Sequence, residues 1–338
     1  MTDIIIRKQG HAGLITLNRP KALNALTWEM CLTIEAAFND WRDDPDVDLI
    51  LIDGAGDRAF CSGGDIADMY QSGQVGDFDY GRKFWRDEYR LNAKIATYPK
   101  PVVAFLHGFT MGGGVGVGCH ASHRIVCENS QIAMPECGIG LVPDVGGTAL
   151  LGQAPGRTGF YLGLTGDRMD AGDAIYAGFA DYYVPMADWP SLKDQMINSG
   201  TPALPQHPAP AARLADWQAD IDRLFDASSA ASILAQLDDT DVGRAATKAM
   251  TRNSPLAMAC AVPLINMGAD DPDITRALHN EYRFTHRAVE HSDFIEGIRA
   301  AIIDRDRTPT WKHATLMAVS EADITGMIAP LGDLELTL

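Results

Sequence analysis

The sequence contains no apolar run approaching the roughly 20 residues that a membrane-spanning helix needs. It is also short of basic residues. Over 338 residues, 28 lysines and arginines stand against 45 aspartates and glutamates, a formal charge of −17 with histidines neutral. Nonspecific binding to nucleic acid or to an anionic membrane surface needs a basic field, so both are excluded as leading functions. A small anionic ligand needs only a local cradle and stays open. The six cysteines (31, 61, 119, 127, 137 and 260) show neither disulfide-framework nor metal-site spacing, which points to a reducing cytoplasm. His120 and His123 lack a convincing third ligand, so no metal is expected. No phosphate-loop lysine motif occurs, and residues 1–10 have no signal-peptide core.

What is present describes an ordinary folded chain, 46% hydrophobic and 22% charged. Its first half alternates strand and helix patterns. Asp3–Lys8 and Gly13–Leu17 read as a strand pair, and Thr27 as the N-cap of a helix to about Arg42. Asp48–Asp53 is a short apolar strand before a glycine-rich loop, and Gln71–Asp79 reads as a polar stretch. A helix over Gly81–Ala96 follows, then a strand at Pro101–Leu106 and a helix over Gly112–His120. Ile125–Cys127 and Gln131–Met134 are further strands. Residues 200–211 are rich in proline and read as a linker. Beyond it, helical patterns run from Ala211 to Ile303. The domains expected are a core over 1–199, the linker 200–211 and a helical region over 212–338.

Three carboxylates stand out. Ile132 and Met134 alternate in a strand pattern, and Glu136 continues that parity toward the buried side unless Pro135 ends the strand and leaves Glu136 in a solvated turn. Asp144, before Val145-Gly146-Gly147, reads as a helix cap that could also face a pocket. Glu88 shares a helix face with Phe84, Leu91 and Ile95, either as a solvated stripe edge or as a desolvated ligand-binding carboxylate. Two glycine clusters, Cys61-Ser62-Gly63-Gly64-Asp65 and Met111-Gly112-Gly113-Gly114, allow close backbone approach, so their amides could meet at a ligand oxygen. Gly116-Val117-Gly118-Cys119-His120-Ala121 matches a relaxed dinucleotide fingerprint, but falls inside a helix rather than at its entry turn.

Taken in order, Leu17-Asn18-Arg19-Pro20-Lys21-Ala22-Leu23-Asn24-Ala25-Leu26 and Ala59-Phe60-Cys61-Ser62-Gly63-Gly64-Asp65-Ile66 resemble the coenzyme A and oxyanion segments of the crotonase superfamily. Within it, His107–Gly116, Ala133-Met134-Pro135-Glu136, Gly140-Leu141-Val142-Pro143-Asp144-Val145-Gly146-Gly147, Asp293–Ala300 and Pro309–Lys312 resemble most its 3-hydroxyisobutyryl-CoA hydrolase branch. The resemblance spans about Ile15 to Trp311. It implies an α/β fold, the ClpP/crotonase spiral of ββα units, with a helical C-terminal region.

The resemblance implies an enzyme that hydrolyses the 3-hydroxyisobutyryl-CoA thioester in valine catabolism. Glu136 and Asp144 would be catalytic, Gly64 and Gly113 would form the oxyanion hole, and Glu88 would bind substrate. Lys21, Ala22, Leu23, Ser62, Asp65 and Ile66 would line the coenzyme A channel. No separate cofactor is implied, since coenzyme A belongs to substrate and product. The partner expected is the small acyl-CoA alone, with no nucleic acid or membrane, and a homo-oligomer is left open. Similar hydratases carry their first catalytic glutamate two residues beyond the glycine triplet, where this chain has Gly116. That disfavours hydration, which needs two acids around one water. An enoyl-CoA isomerase or hydratase is the alternative of the same fold, and a non-catalytic or RNA-binding relative the alternative of another class.

Overall fold

The computed structural model describes residues 2–338. The chain begins with an antiparallel hairpin, β1 (Ile4–Gln9) and β2 (Ala12–Leu17). The helix α1 (Trp28–Trp41) follows, and the Thr27 hydroxyl accepts from the Met30 amide as its cap. Next come β3 (Leu49–Gly54) and β4 (Ala59–Cys61), then α2 (Ala67–Gln74) and α3 (Asp79–Ala96). β5 (Val102–Leu106) and β6 (Phe109–Met111) lead into the short α4 (Gly113–Gly118). β7 (His123–Val126) and β8 (Gln131–Ala133) precede α5 (Gly147–Gln153), α6 (Thr158–Thr165) and α7 (Ala171–Tyr176). β9 (Tyr182–Tyr183) and α8 (Trp189–Ser199) end the alternating part.

Consecutive strands are dealt to two sheets. One has six strands in the order β1-β2-β3-β5-β7-β9, parallel from β2 onward; the other has three parallel strands, β4-β6-β8. After the β1–β2 hairpin, which stays in the larger sheet, each of the pairs β3–β4, β5–β6 and β7–β8 contributes one strand to each sheet before helical structure, the ββα spiral expected. The strands β3 and β5 are nearly unbroken apolar runs because both faces of a central parallel strand are covered. Leu14, Leu51, Val103, Phe105 and Ile125 form a core with Trp189, Leu192 and Met196 of α8.

Residues 201–212 carry no helix or strand. After them come α9 (Arg213–Leu224), α10 (Ala230–Gln236), α11 (Asp241–Met250), α12 (Pro255–Asp270), α13 (Ile274–His291), α14 (Phe294–Ile298) and α15 (Glu321–Ile328). Two compact units result. The first comprises the chain up to Asp65, Asp87–Ala133 and Arg168–Arg213; the second comprises Ile66–Arg86, Met134–Asp167 and Leu214–Leu338. Among the described residues, no helix is long and apolar enough to cross a membrane.

The polar stretch Gln71–Asp79 differs from its reading, because its first part is the end of α2. That helix buries only Met69, so no apolar stripe announced it.

Packing in β2 leaves no room for a methyl group at Gly13, where a Cβ would lie 2.4 Å from Trp41 Cε3. Gly13→Ala should lower the unfolding free energy by about 1–3 kcal/mol in urea titrations. Gly326→Ala is the matched control. Gly326 lies in α15 with nothing within 4 Å of a Cβ, and helix propensity predicts a gain of up to about 1 kcal/mol.

Candidate active site

In the first unit, a tight turn starts the site. Leu23 and Asn24 both adopt left-handed backbone, with φ of 51° and 55°. Asn24 tolerates this conformation better than most residues, and its buried side chain fixes it. Its Oδ1 accepts from the Arg19 amide at 2.9 Å, and its Nδ2 donates to the Ala59 carbonyl at 2.8 Å. The turn is thereby pinned to β4, and it brings Lys21, Ala22 and Leu23 beside the first glycine loop. The Ser62 amide donates to Leu23 O at 3.0 Å, Leu26 N to Gly63 O at 2.9 Å, and Asp65 N to Leu26 O at 2.8 Å. Arg19 also pairs with Asp65 at 2.8 Å. Two segments bonded across 37 to 39 residues of sequence thus form one ribbon, containing five of the six residues expected along the coenzyme A channel. The sixth, Ile66, is the N-cap of α2 in the second unit.

Gly64 pairs with Leu26 as a parallel bridge whose hydrogen bonds are carried by Gly63 and Asp65. In such a bridge the central residue's own N–H faces the opposite edge. Gly113 lies on that side. A Cβ there would sit 3.2 Å from the Gly64 nitrogen and 2.6 Å from Glu88 Oε1. Gly113 is also the first residue of α4, so its amide lies outside the helix's own ladder. The Gly64 nitrogen, Gly113 and the Glu88 carboxylate therefore lie close together.

Glu88 is 3% exposed, as deeply set as Phe84, Leu91 and Ile95 on the same face, so it is not a solvated stripe edge. Its helix is anchored to α1: Asp87 accepts from Trp28 Nε1 and from Arg90, and Arg90 forks onto Glu35. Burial, reinforced by the Glu88 charge, pushes the Cys31 thiol well up, and burial together with the same charge takes Cys61 to about 12. One turn beyond Glu88, Asn92 is wholly buried, and its amide N and O make no hydrogen bond among the described residues. Sequence reading passed over Asn92, although its spacing of four from Glu88 puts it on the same face.

In the second unit, the strand parity expected for Glu136 does not hold. β8 stops at Ala133, Pro135 turns the chain, and Glu136 opens a 3₁₀ turn, Glu136–Ile139. The side chain is nonetheless buried, and the turn that carries it is clamped from outside. Ser254 N donates to Cys137 O at 2.9 Å, and the bare Cα of Gly297 lets its chain lie against Ile139. Neither the strand nor the solvated turn was right.

Asp144 is also buried, and it is not a helix cap: Gly146 holds the N-cap position of α5. The Asp144 carbonyl accepts from Gly147 N at 2.7 Å, and the Met134 side chain lies against Gly147, joining the Glu136 and Asp144 segments. Behind them, Glu281 of α13 is wholly buried among Ala277, Leu278 and Phe284. Its sequence spacing gives the same signal that singled out Glu88. Burial pushes its carboxyl up to about 7, against the lowering effect of hydrogen bonds from Thr148 and Gly146.

Residues 12–328 match the family described as Enoyl-CoA hydratase/isomerase. Over its whole length the chain is 36% identical to the mitochondrial 3-hydroxyisobutyryl-CoA hydrolase of Danio rerio, spanning 92% of that protein. It is 34% identical over 99% of its length to the Homo sapiens protein of the same description, spanning 90% of it. A crystal structure described as an enoyl-CoA hydratase from Rhodobacter sphaeroides 2.4.1 is 54% identical, with a TM-score of 0.98 and full coverage of both chains. One described as a carnitinyl-CoA dehydratase from Mycobacterium thermoresistibile is 40% identical, with a TM-score of 0.94, covering 100% of this chain and 99% of that one.

The raised Glu281 carboxyl has a consequence for stability. The native chain holds its proton up to about pH 7, whereas an unfolded glutamate releases it near 4.5. Between those values the native state binds more protons, so unfolding free energy falls as pH rises and levels off above. Glu281→Gln should remove this component. The wild-type-minus-variant difference in urea unfolding should decline by about 2 kcal/mol from pH 5 to 7. A difference that stays flat over that range would contradict the raised carboxyl.

Proposed function

Because the chain belongs to the enoyl-CoA hydratase/isomerase family, we propose that it works on the family's kind of substrate, an acyl-CoA, as a thioester hydrolase that releases coenzyme A from 3-hydroxyisobutyryl-CoA. The observation that carries this reading is the meeting of Gly64, Gly113 and Glu88. A thioester oxygen held by two main-chain amides would bring its acyl chain beside a buried carboxylate, and a hydroxyl is the group that such a carboxylate favours. The full-length relatives described as 3-hydroxyisobutyryl-CoA hydrolases support the same substrate. Gly116, buried within α4, carries no acid for hydration. This weighs against the hydratase and dehydratase activities for which the solved structures are described.

Hydrolysis needs a nucleophile at the carbonyl carbon, stabilisation of charge on its oxygen, and departure of the thiolate. In this reading the Gly64 and Gly113 amides stabilise the oxyanion, a contribution of about 10²–10³ in rate per donor. Glu136 either attacks the carbonyl carbon directly or takes a proton from an attacking water. In the direct route the carboxylate oxygen bonds to carbon, the carbon–sulfur bond breaks, and coenzyme A leaves as thiolate. Water then opens the mixed anhydride, two easier steps replacing one hard one. Asp144 orients that water or manages the proton that reaches the thiolate. Lys21, Ala22, Leu23, Ser62, Asp65 and Ile66 line the coenzyme A channel, and coenzyme A enters only as part of substrate and product. The reading extends to valine catabolism. A reducing cytoplasm suits six free, buried thiols, while the vertebrate relatives are described as mitochondrial.

Glu88→Gln should slow hydrolysis of 3-hydroxyisobutyryl-CoA more than that of isobutyryl-CoA. The preference should shift by about tenfold, the worth of one hydrogen bond to a charged group. Equal losses on both thioesters would reduce Glu88 to a structural residue.

Glu136→Gln and Asp144→Asn should each suppress thiol release by at least about 10²-fold while leaving coenzyme A affinity nearly unchanged. Full activity in Glu136→Gln would reject both routes for that residue. Single turnover in ¹⁸O-water separates them, since an anhydride opened at the enzyme carbonyl leaves label in Glu136. An absorbance assay for conjugated enoyl-CoA, run beside thiol release, tests the isomerase or hydratase alternative.

A further inference from the structure

Asp144 stands at the start of an unfavourable stretch of backbone. Val145 is buried with φ of 55°, and Gly146 follows with φ of 80°. A β-branched residue in the left-handed region is a genuine outlier, which persists only where its surroundings over-determine it. The chain then enters α5 at once. Locally the turn is closed by the Gly147 amide, which donates to the Asp144 carbonyl at 2.7 Å, and Gly146 supplies no side-chain cap.

The turn is also held from 133 to 135 residues further along the chain. Glu281 Oε2 accepts from the Gly146 amide at 2.7 Å. Oε1 accepts from the Thr148 amide at 2.9 Å and from the Thr148 hydroxyl at 2.5 Å. Both carboxylate oxygens are thus engaged by the segment that begins two residues after Asp144. Helix α12 closes in on the same segment through Gly268, whose missing Cβ would lie 2.1 Å from Thr148 O.

We propose that Glu281 is a positioning residue for the hydrolytic reaction, fixing the strained Val145-Gly146 turn and through it the placing of the Asp144 carboxylate. The proposal rests on the role given to Asp144 above. Glu281 itself touches no reacting atom in this reading. A buried glutamate that merely stabilised the fold would alter how much enzyme is folded, not how fast each folded molecule turns over.

The test measures kcat, KM and coenzyme A affinity for Glu281→Gln, Asp144→Asn and the double variant, well below their melting temperatures. Above about pH 7, where Glu281 is ionised and the rates are measured, glutamine keeps the shape but replaces one acceptor by an N–H₂ group that opposes the donors of Gly146 or Thr148. Glu281→Gln should lower kcat about 10–100-fold, the range expected for a misplaced catalytic group, with KM and coenzyme A affinity nearly unchanged. The double variant should be no slower than Asp144→Asn alone, because a group that acts through Asp144 has nothing left to act on. Losses that multiply would overturn the proposal, as would a wild-type kcat in folded Glu281→Gln.

Wild-type activity in Asp144→Asn would sink the role of Asp144 itself and the proposal with it. A slow Asp144→Asn beside a fast Glu281→Gln would sink the proposal alone. Should Glu281→Gln fail to fold, Thr148 decides. Thr148→Val, which deletes only the hydroxyl donor, should lower kcat several-fold, and Thr148→Ser should restore it. Equal kcat in those two variants would overturn the assignment.

Discussion

The arrangement depends on one constraint, the approach of two stretches of bare backbone closer than any side chain allows. A Cβ at Gly114 would lie 2.3 Å from the Cys61 carbonyl oxygen, and one at Gly113 would strike the Glu88 carboxylate. The loops after β4 and β6 can therefore converge only because both are made of glycine. The sheet supplies the register. β4 and β6 are parallel neighbours, so the loops leave from the same edge and reach the same place. The Asn24 turn then binds a third, remote segment to the first loop. The nearness of Gly64, Gly113 and Glu88, to which the proposed function gives the oxyanion and substrate roles, follows from that one permission to approach.

Each unit maintains buried carboxylates, which are costly to desolvate. It meets the cost differently at each position. Glu35 is offset by Arg90 and Lys94, and Asp87 by Arg90 and the Trp28 indole. Glu281 has only neutral donors, two amides and a hydroxyl, and its carboxyl correspondingly binds protons more readily than usual. The cation-paired groups hold helices together. The carboxylates to which chemistry is assigned here, Glu136 and Asp144, instead sit on short irregular turns clamped by distant helices. Packing from elsewhere in the chain, rather than a regular element of their own, sets their positions.

Much of this was legible in the sequence, for reasons that vary by residue. The alternating elements and the Thr27 cap follow from local periodicity and capping chemistry. Glu88 was readable because the helix period is rigid enough to place one charge in an apolar stripe. Glu136 was found through a strand parity that does not exist. The family resemblance also singled it out, while the turn that carries it is held by Ser254 and Gly297, far along the chain and invisible to any local pattern. Asp144 was misread as a cap because cap preference is a local rule, and Val145-Gly146 breaks it under tertiary constraint. Glu281 obeys the same stripe logic as Glu88 and was missed only because the C-terminal helices were read for their extent rather than for their exceptions. α2 gave no pattern to read, having one buried residue.

The six thiols are uniformly shielded. Every one is free and buried, and burial raises each above an ordinary cysteine. Thiolate is the form that attacks an aromatic disulfide, so the native protein presents almost no competitor to such a reagent. Coenzyme A liberated in its presence is then read against a silent background, molecule for molecule. Once the chain unfolds, the same six sulfurs become reactive together. One colorimetric reagent thus reports turnover while the protein is intact and its collapse when it is not.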